Sequence, residues 1–155
     1  MSIFTASLAG LLLFMGCARL GGADRPLSMR ELARGAFSSI SDRKEAVLKS
    51  EKEWAEFWKQ HAATSTGLKQ PTVDLSKEMV VAVMMGRRNT GGYSVRIEQV
   101  EESTETIKVS YSEREPKPGG MTLQALSAPF HMVAVAQSQK PVTFKKVAPS
   151  SAAKR

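Results

Sequence analysis

The strongest constraint on the fold is a seven-residue apolar run, Met79 to Met85, which is followed by a glycine-rich segment and an alternating stretch. An unbroken apolar run of this length is typical of a strand that is covered on both faces. From Tyr93 to Glu98 apolar and polar residues alternate, as in a strand with one buried face. The glycines between the two runs can adopt the positive φ angles of a tight turn. The sequence therefore predicts two central strands joined by a polar loop, and this loop is the first place where we expect a partner to bind.

One amphipathic helix is predicted near residues 51–63. Ser50 and Glu53 have the spacing of a capping box, in which each side chain bonds to the other residue's backbone. One stripe follows at helical spacing: Trp54, Phe57, Trp58 and His61. The stripe predicts that the helix packs against a sheet, with both tryptophans in the core and a half-buried histidine at its end.

Short runs of strand length, separated by turn residues, make up most of the remaining chain. Two short strands are predicted within 34–49, and others at 107–112, 121–126, 130–136 and 142–147. The connections are too short and polar to supply the helical crossovers of a parallel sheet. The predicted fold is mainly β: an antiparallel β-sandwich or a partly open barrel with one amphipathic helix.

The N-terminal segment has the pattern of an export signal. Leu8 to Gly16 is uncharged, mainly apolar and too short to span a bilayer as a helix. Its ending, Phe14 to Cys17, resembles the lipobox of bacterial lipoproteins, in which the cysteine is lipidated and becomes the mature N-terminus. This implies an exported protein of the cell envelope, lipid-anchored to a membrane at Cys17. A secretory peptide with an incidental cysteine, and hence a periplasmic protein, is the alternative.

These patterns divide the chain into four parts. Residues 1–17 are predicted to be the signal peptide, 18–33 a tether, 34–147 the folded domain and 148–155 a disordered tail.

The charge pattern and the histidines argue against several classes of function. The net charge of +7 comes from 22 Lys and Arg against 15 Asp and Glu, but the two signs are interleaved, so we expect no nucleic-acid partner. The two histidines, His61 and His131, do not have metal-ligand spacing, and the sequence has no Gly-x-Ser-x-Gly motif. We therefore expect a non-enzymatic protein with no catalytic residues, no metal and no cofactor.

Three loops combine turn residues with an aromatic ring or a flexible backbone, a composition found where a rigid scaffold presents binding loops. Their candidate contact residues are Asn89, Thr90, Gly91, Gly92 and Tyr93; Gly119 and Gly120; and Pro129, Phe130 and His131. The alternative is that these are ordinary turns, in which the two aromatic rings begin their strands as core residues. The sequence leaves both interpretations open.

The same region resembles a known family. Val80-Val81-Ala82-Val83 and Gly86-x-Arg88-x-Thr90-Gly91-Gly92-Tyr93-Ser94-Val95-x-Ile97 resemble the C-terminal domain of PrcB, a protease-complex-stabilising subunit of bacteria. Further matching motifs are Pro116-x-Pro118-Gly119, Gln124-Ala125-Leu126-Ser127-x-Pro129-Phe130-His131 and Lys140-Pro141-Val142-x-Phe144. The resemblance implies an exported, often lipid-anchored protein that binds and stabilises a surface protease complex and has no catalysis of its own.

A second similarity concerns the order of the three loops. Asn89 and Thr90 to Tyr93, then Gly119 with Gly120, then Pro129 with Phe130 are similar to the loops of chagasin-type cysteine-protease inhibitors. In that family the loops cluster at one end of an immunoglobulin-like sandwich and enter the active-site cleft. Ala128 stands where that family would have an arginine. The similarity implies direct protease inhibition as an alternative function, and a structural envelope lipoprotein without a protease partner is a third.

Overall fold

The computed structural model describes residues 24–65 and 67–150. The elements in chain order are β1 (Arg25–Pro26), β2 (Arg30–Gly35), β3 (Lys44–Leu48), α1 (Glu51–His61), β4 (Glu78–Met84), β5 (Ser94–Glu102), β6 (Ile107–Arg114), β7 (Phe130–Ala136) and β8 (Val142–Val147). They form two four-stranded sheets, with strand orders β1-β5-β6-β8 and β2-β7-β4-β3. The pairs are antiparallel except β6 with β8, which is parallel. The predicted mainly β sandwich with one helix is confirmed for the described residues, and the sheets do not close into a barrel.

Strand β4 explains the unbroken apolar run, because it is buried on both faces. Val80, Ala82 and Met84 belong to a core cluster that includes the helix side chains. Met79, Val81 and Val83 belong to a second cluster, with side chains of β5, β6 and β7. Each of these six side chains is at most 1% exposed. Burying a large apolar side chain contributes about 1.5–3 kcal/mol. The burial of β4 therefore stabilises both core clusters, one on each face of the strand.

The helix has the predicted capping box. The Ser50 hydroxyl accepts from the Glu53 backbone N–H at 3.3 Å, and the Glu53 carboxylate accepts from the Ser50 backbone N–H at 3.1 Å. The tryptophans and Phe57 are buried, as the stripe predicts. The helix ends at His61, two residues before the predicted boundary at 63. His61 is fully buried rather than half-buried, and its Nδ1 lies 2.9 Å from the Ser38 hydroxyl.

The folded part begins earlier than the predicted boundary at residue 34. Both β1 and β2 lie largely within the segment predicted to be a tether, and β2 pairs with β7 along its length. The charged sequence of β2 obscures its strand character, but Leu32 and Ala33 pack against the core beside the helix. Only β3 of the two strands predicted within 34–49 lies there in full. The predicted signal peptide, the lipidation site Cys17, and the ends of the predicted tether and tail lie outside the described residues.

The stretch 121–126 is not the predicted strand. Its residues lie in a long connection between β6 and β7 that makes a single isolated bridge, Arg88 with Ser127. Met121, Leu123 and Leu126 are exposed because no strand lies beside them to cover their apolar side chains. Within the described part of the chain, no helix has both the length and the apolar character needed to cross a membrane.

Candidate functional site

The first predicted loop is paired with the connection between β6 and β7, which also contains the second predicted loop. The Gly91 N–H donates to the Leu123 carbonyl at 2.8 Å. The backbones of Arg88 and Ser127 exchange two hydrogen bonds, at 2.7 and 3.0 Å. We call residues 86–93 and 115–129 the paired loops. Because backbone bonds join them at two points, the paired loops form one continuous surface at the C-terminal end of the buried strand β4.

The glycines of the first loop serve this pairing. Gly92 has a φ of 88°, and a Cβ added there would lie 3.0 Å from the Cβ of Pro116. A Cβ added at Gly91 would lie 3.2 Å from the Cβ of Leu123. The missing side chains therefore allow the two loops to approach each other.

The second predicted pair of glycines lies at an exposed tip. Gly120 N–H donates to the Lys117 carbonyl at 2.9 Å and closes a four-residue turn. Pro118 and Gly119 occupy its central positions, and Gly119 has the positive φ, 73°, that a type II turn requires at the third position. Nothing lies within 4 Å of a Cβ built at Gly119, so the tip is open to a partner.

The other residues of the first loop differ in how accessible they are. Asn89 is exposed, whereas Thr90 is half-buried and its carbonyl accepts from the Ser127 hydroxyl at 2.7 Å. Tyr93 is also half-buried and packs against the core between the sheets. The Arg88 guanidinium lies 5.6 Å from the centre of the Tyr93 ring, within the range of a cation–π contact. Tyr93 thus keeps a partly accessible ring in a fixed orientation.

Phe130 and His131 of the third predicted loop do not join this surface. Phe130 is 7% exposed, and its ring centre lies 4.3 Å from that of His61 in an edge-to-face contact. His131 is 3% exposed, and Pro129 is buried, with its carbonyl accepting from the Met85 N–H at 2.8 Å. The expectation that Phe130 and His131 contact a partner is therefore corrected. Both begin β7, which lies between β2 and β4 and is covered on both faces.

The sequence interpretation missed an exposed apolar surface. We define the apolar loop surface as Phe37, Met121, Leu123 and Leu126, whose exposed fractions are 62%, 104%, 67% and 59%. Phe37 and Leu126 line one groove of about 250 Å³. The proline and glycine residues at 116–120 were the available signal, since a chain leaving such a turn without a partner strand exposes its apolar residues.

The described residues contain no cluster suited to a metal ion. Across 24–65 and 67–150, no three or more His, Cys, Asp or Glu side chains come together in a way that could hold one.

The fold and these loops define a β-sandwich domain that presents a surface of two hydrogen-bonded loops beside its most buried strand. Residues 79–136, which span β4 to β7 and include both paired loops, match the family model described as PrcB C-terminal. The suspected resemblance to the PrcB C-terminal family is confirmed for this segment of the chain. No curated protein and no solved structure matches the chain.

Proposed function

We propose that this chain is a non-enzymatic protein of the cell envelope that binds and stabilises a protease or protease complex through its paired loops. An export signal with a lipid anchor at Cys17 would place it at the membrane surface. The observation that carries the proposal is the apolar loop surface, which lies within or beside the family segment.

The apolar loop surface has the properties of a binding site. Met121, Leu123 and Leu126 project from one segment whose backbone is bonded to the neighbouring loop at Leu123 and Ser127. Because the backbone is already ordered, a partner would lose little conformational entropy on binding there. Apolar anchors surrounded by a polar rim are typical of the centre of a protein–protein interface. Here Asn89 and Lys117 are exposed on the same paired loops and would belong to that rim.

The burial of Phe130 favours stabilisation over direct inhibition. A chagasin-like mode of action needs three loops that enter an active-site cleft together, and here the third loop is part of the core. The two remaining loops form a surface instead of a set of three projecting loops.

The proposal is tested by a crosslinked pull-down of the tagged chain from the envelope of its native host. We would compare the wild type with Met121→Lys/Leu126→Lys and with the matched control Leu68→Lys, which alters an exposed leucine outside the paired loops. We expect a protease to be recovered with the wild type and the control, and lost with the double variant. Equal recovery with the double variant, or no protease with the wild type, would overturn the proposal and leave a structural lipoprotein.

The peptidase rate of the recovered protease on small substrates separates the two protease hypotheses. A stabilising subunit preserves or raises this rate, whereas an inhibitor occupying the active site lowers it. Gly92→Arg would be less informative than the double variant. An arginine side chain at this positive φ, close to Pro116, would disturb the loop pairing itself.

A further inference from the structure

A cavity of about 440 Å³ lies where β2 ends, β5 begins and β6 ends. Three arginines line it: Arg34 from β2, Arg96 from β5 and Arg114 from β6. Tyr93 and Val95 also line it. None of the four residues of the apolar loop surface lines this cavity.

Strand register explains why the arginines converge. Arg96 lies opposite Ser112, and Arg114 lies opposite Ser94. Because residues directly opposite each other share one face of a sheet, the two arginines and two serines form a polar patch on β5 and β6. Arg34 approaches this patch from the other sheet, so the cavity combines residues distant in the sequence.

The charges of the three arginines are only loosely compensated. Arg96 Nε lies 3.9 Å from Glu98, and Arg34 Nε lies 3.9 Å from Glu31, both beyond hydrogen-bonding distance. Glu98 also lines the cavity, and it accepts from the Ser112 hydroxyl at 2.6 Å. Arg114 makes no ion pair with any residue in the described part of the chain. The guanidinium groups therefore keep donors for a further acceptor.

We infer that this cavity binds a ligand through an anionic oxygen group, either a carboxylate or a phosphate. Planar guanidinium groups donate two parallel hydrogen bonds to either group, and they are the usual residues for that recognition. The cavity volume lies in the range of small-molecule sites, so it can admit more than a single inorganic ion. The inference goes beyond the proposed protease partner and does not depend on it.

The inference is tested by titrating the full chain with citrate and, separately, with inorganic phosphate at low chloride concentration. Binding is followed by calorimetry and by the NMR resonances of the arginine Nε–H groups. We expect at least one anion to bind and to shift the Arg96 and Arg114 resonances. Tighter binding of citrate would identify a carboxylate site, and tighter binding of phosphate would identify a phosphate site.

Single-arginine variants separate a built site from general attraction to a basic protein. Arg96→Gln and Arg114→Gln should each weaken binding by about tenfold, because each removes charge-assisted hydrogen bonds. Arg87→Gln removes the same charge from an exposed arginine outside the cavity and should leave the affinity within about twofold. The inference is overturned if neither anion shifts the arginine resonances, or if Arg87→Gln weakens binding as much as Arg114→Gln does. Arg114 is the exposed last residue of β6, so its substitution should disturb folding little. The Arg114→Gln variant therefore keeps the test valid if Arg96→Gln folds poorly.

Discussion

The Nδ1 atom of His131 accepts a hydrogen bond from the backbone N–H of Ile97 at 2.7 Å and thereby joins the two sheets. Strand β1 pairs only with Glu101 and Glu102, so the N–H of Ile97 has no strand partner on that side of β5. The imidazole satisfies this buried donor. Nε2 lies 3.0 Å from the carboxylate of Glu31, so Nε2 carries the proton of the neutral ring and donates to it.

This arrangement predicts that stability falls on mild acidification. Burial lowers the pKa of His131 despite the carboxylate of Glu31, and Arg34 and Arg96 lower it further; burial also lowers the pKa of His61. A histidine in the unfolded chain titrates near its ordinary pKa of 6.5, so the unfolded state binds protons first as the pH falls. The stability that the two neutral, buried histidines contribute is fully present above pH 6.5. It is lost as the pH falls through their lowered folded-state pKa values.

Urea denaturation midpoints measured from about pH 7.5 to about pH 5 would check this loss of stability. Most carboxylates titrate below this range, so the histidines dominate the change. The midpoint should decrease steadily below the ordinary histidine pKa. His131→Leu should be less stable at neutral pH by about 1–3 kcal/mol, because it leaves the Ile97 N–H unpaired, and its pH dependence should be shallower. A constant wild-type midpoint over this range would contradict the prediction.

A second prediction concerns Glu113, whose side chain is 3% exposed. Its carboxylate lies 2.5 Å from Arg43 and 2.6 Å from Lys146. Burial raises the pKa of Glu113, but Lys146 and Arg43 outweigh it, and the pKa is lowered overall. Arg43→Met removes one of the two cations and a hydrogen bond to Tyr111, so we expect a loss of about 2 kcal/mol in the free energy of unfolding. Arg25→Met is the control, since Arg25 is 71% exposed in its ion pair and should matter less. Equal losses of unfolding free energy in the two variants would show that the buried ion pair of Glu113 stabilises the fold no more than the exposed ion pair of Arg25.

Alanine substitutions at two glycines would separate backbone strain from crowding. Gly119 and Gly92 both have positive φ, but only Gly92 has a neighbouring side chain at 3.0 Å. Gly119→Ala should cost about 1 kcal/mol through strain alone. Gly92→Ala should cost about 2 kcal/mol or more, because Pro116 must also move. Thermal unfolding of both variants measures the difference, and identical costs would argue against close loop packing.

The burial of Phe130 makes it a stability residue. Phe130→Ala should lower the free energy of unfolding by about 3–5 kcal/mol, because it removes the ring that packs on His61 and leaves a cavity. Phe37→Ala is the matched control, since Phe37 is 62% exposed and should change stability little. Comparable stability of the two variants would place the Phe130 ring at the surface after all.

Local sequence patterns were sufficient to predict the elements that depend on residues close together in the chain. The run from Met79 to Met85 predicts a strand buried on both faces, because each successive side chain points to the opposite face and all are apolar. The spacing of Ser50 and Glu53 predicts the start of the helix, since a capping box involves only residues within one turn. The resemblance of residues 79–136 to the PrcB C-terminal family was also recognisable, because the matching motifs are contiguous.

Only the tertiary structure decided which segments are covered and which converge. The stretch 121–126 has the apolar character of a strand, but a strand also needs a partner for its backbone, and the partner is set by long-range packing. The same reason places Phe130 and His131 in the core, since β2 and β4 flank β7 from distant parts of the chain. The arginine-lined cavity follows from the register of β5 with β6 and from the position of β2 in the opposite sheet. Sequence periodicity therefore determined what each segment can form, and pairing between distant segments determined what each side chain contacts.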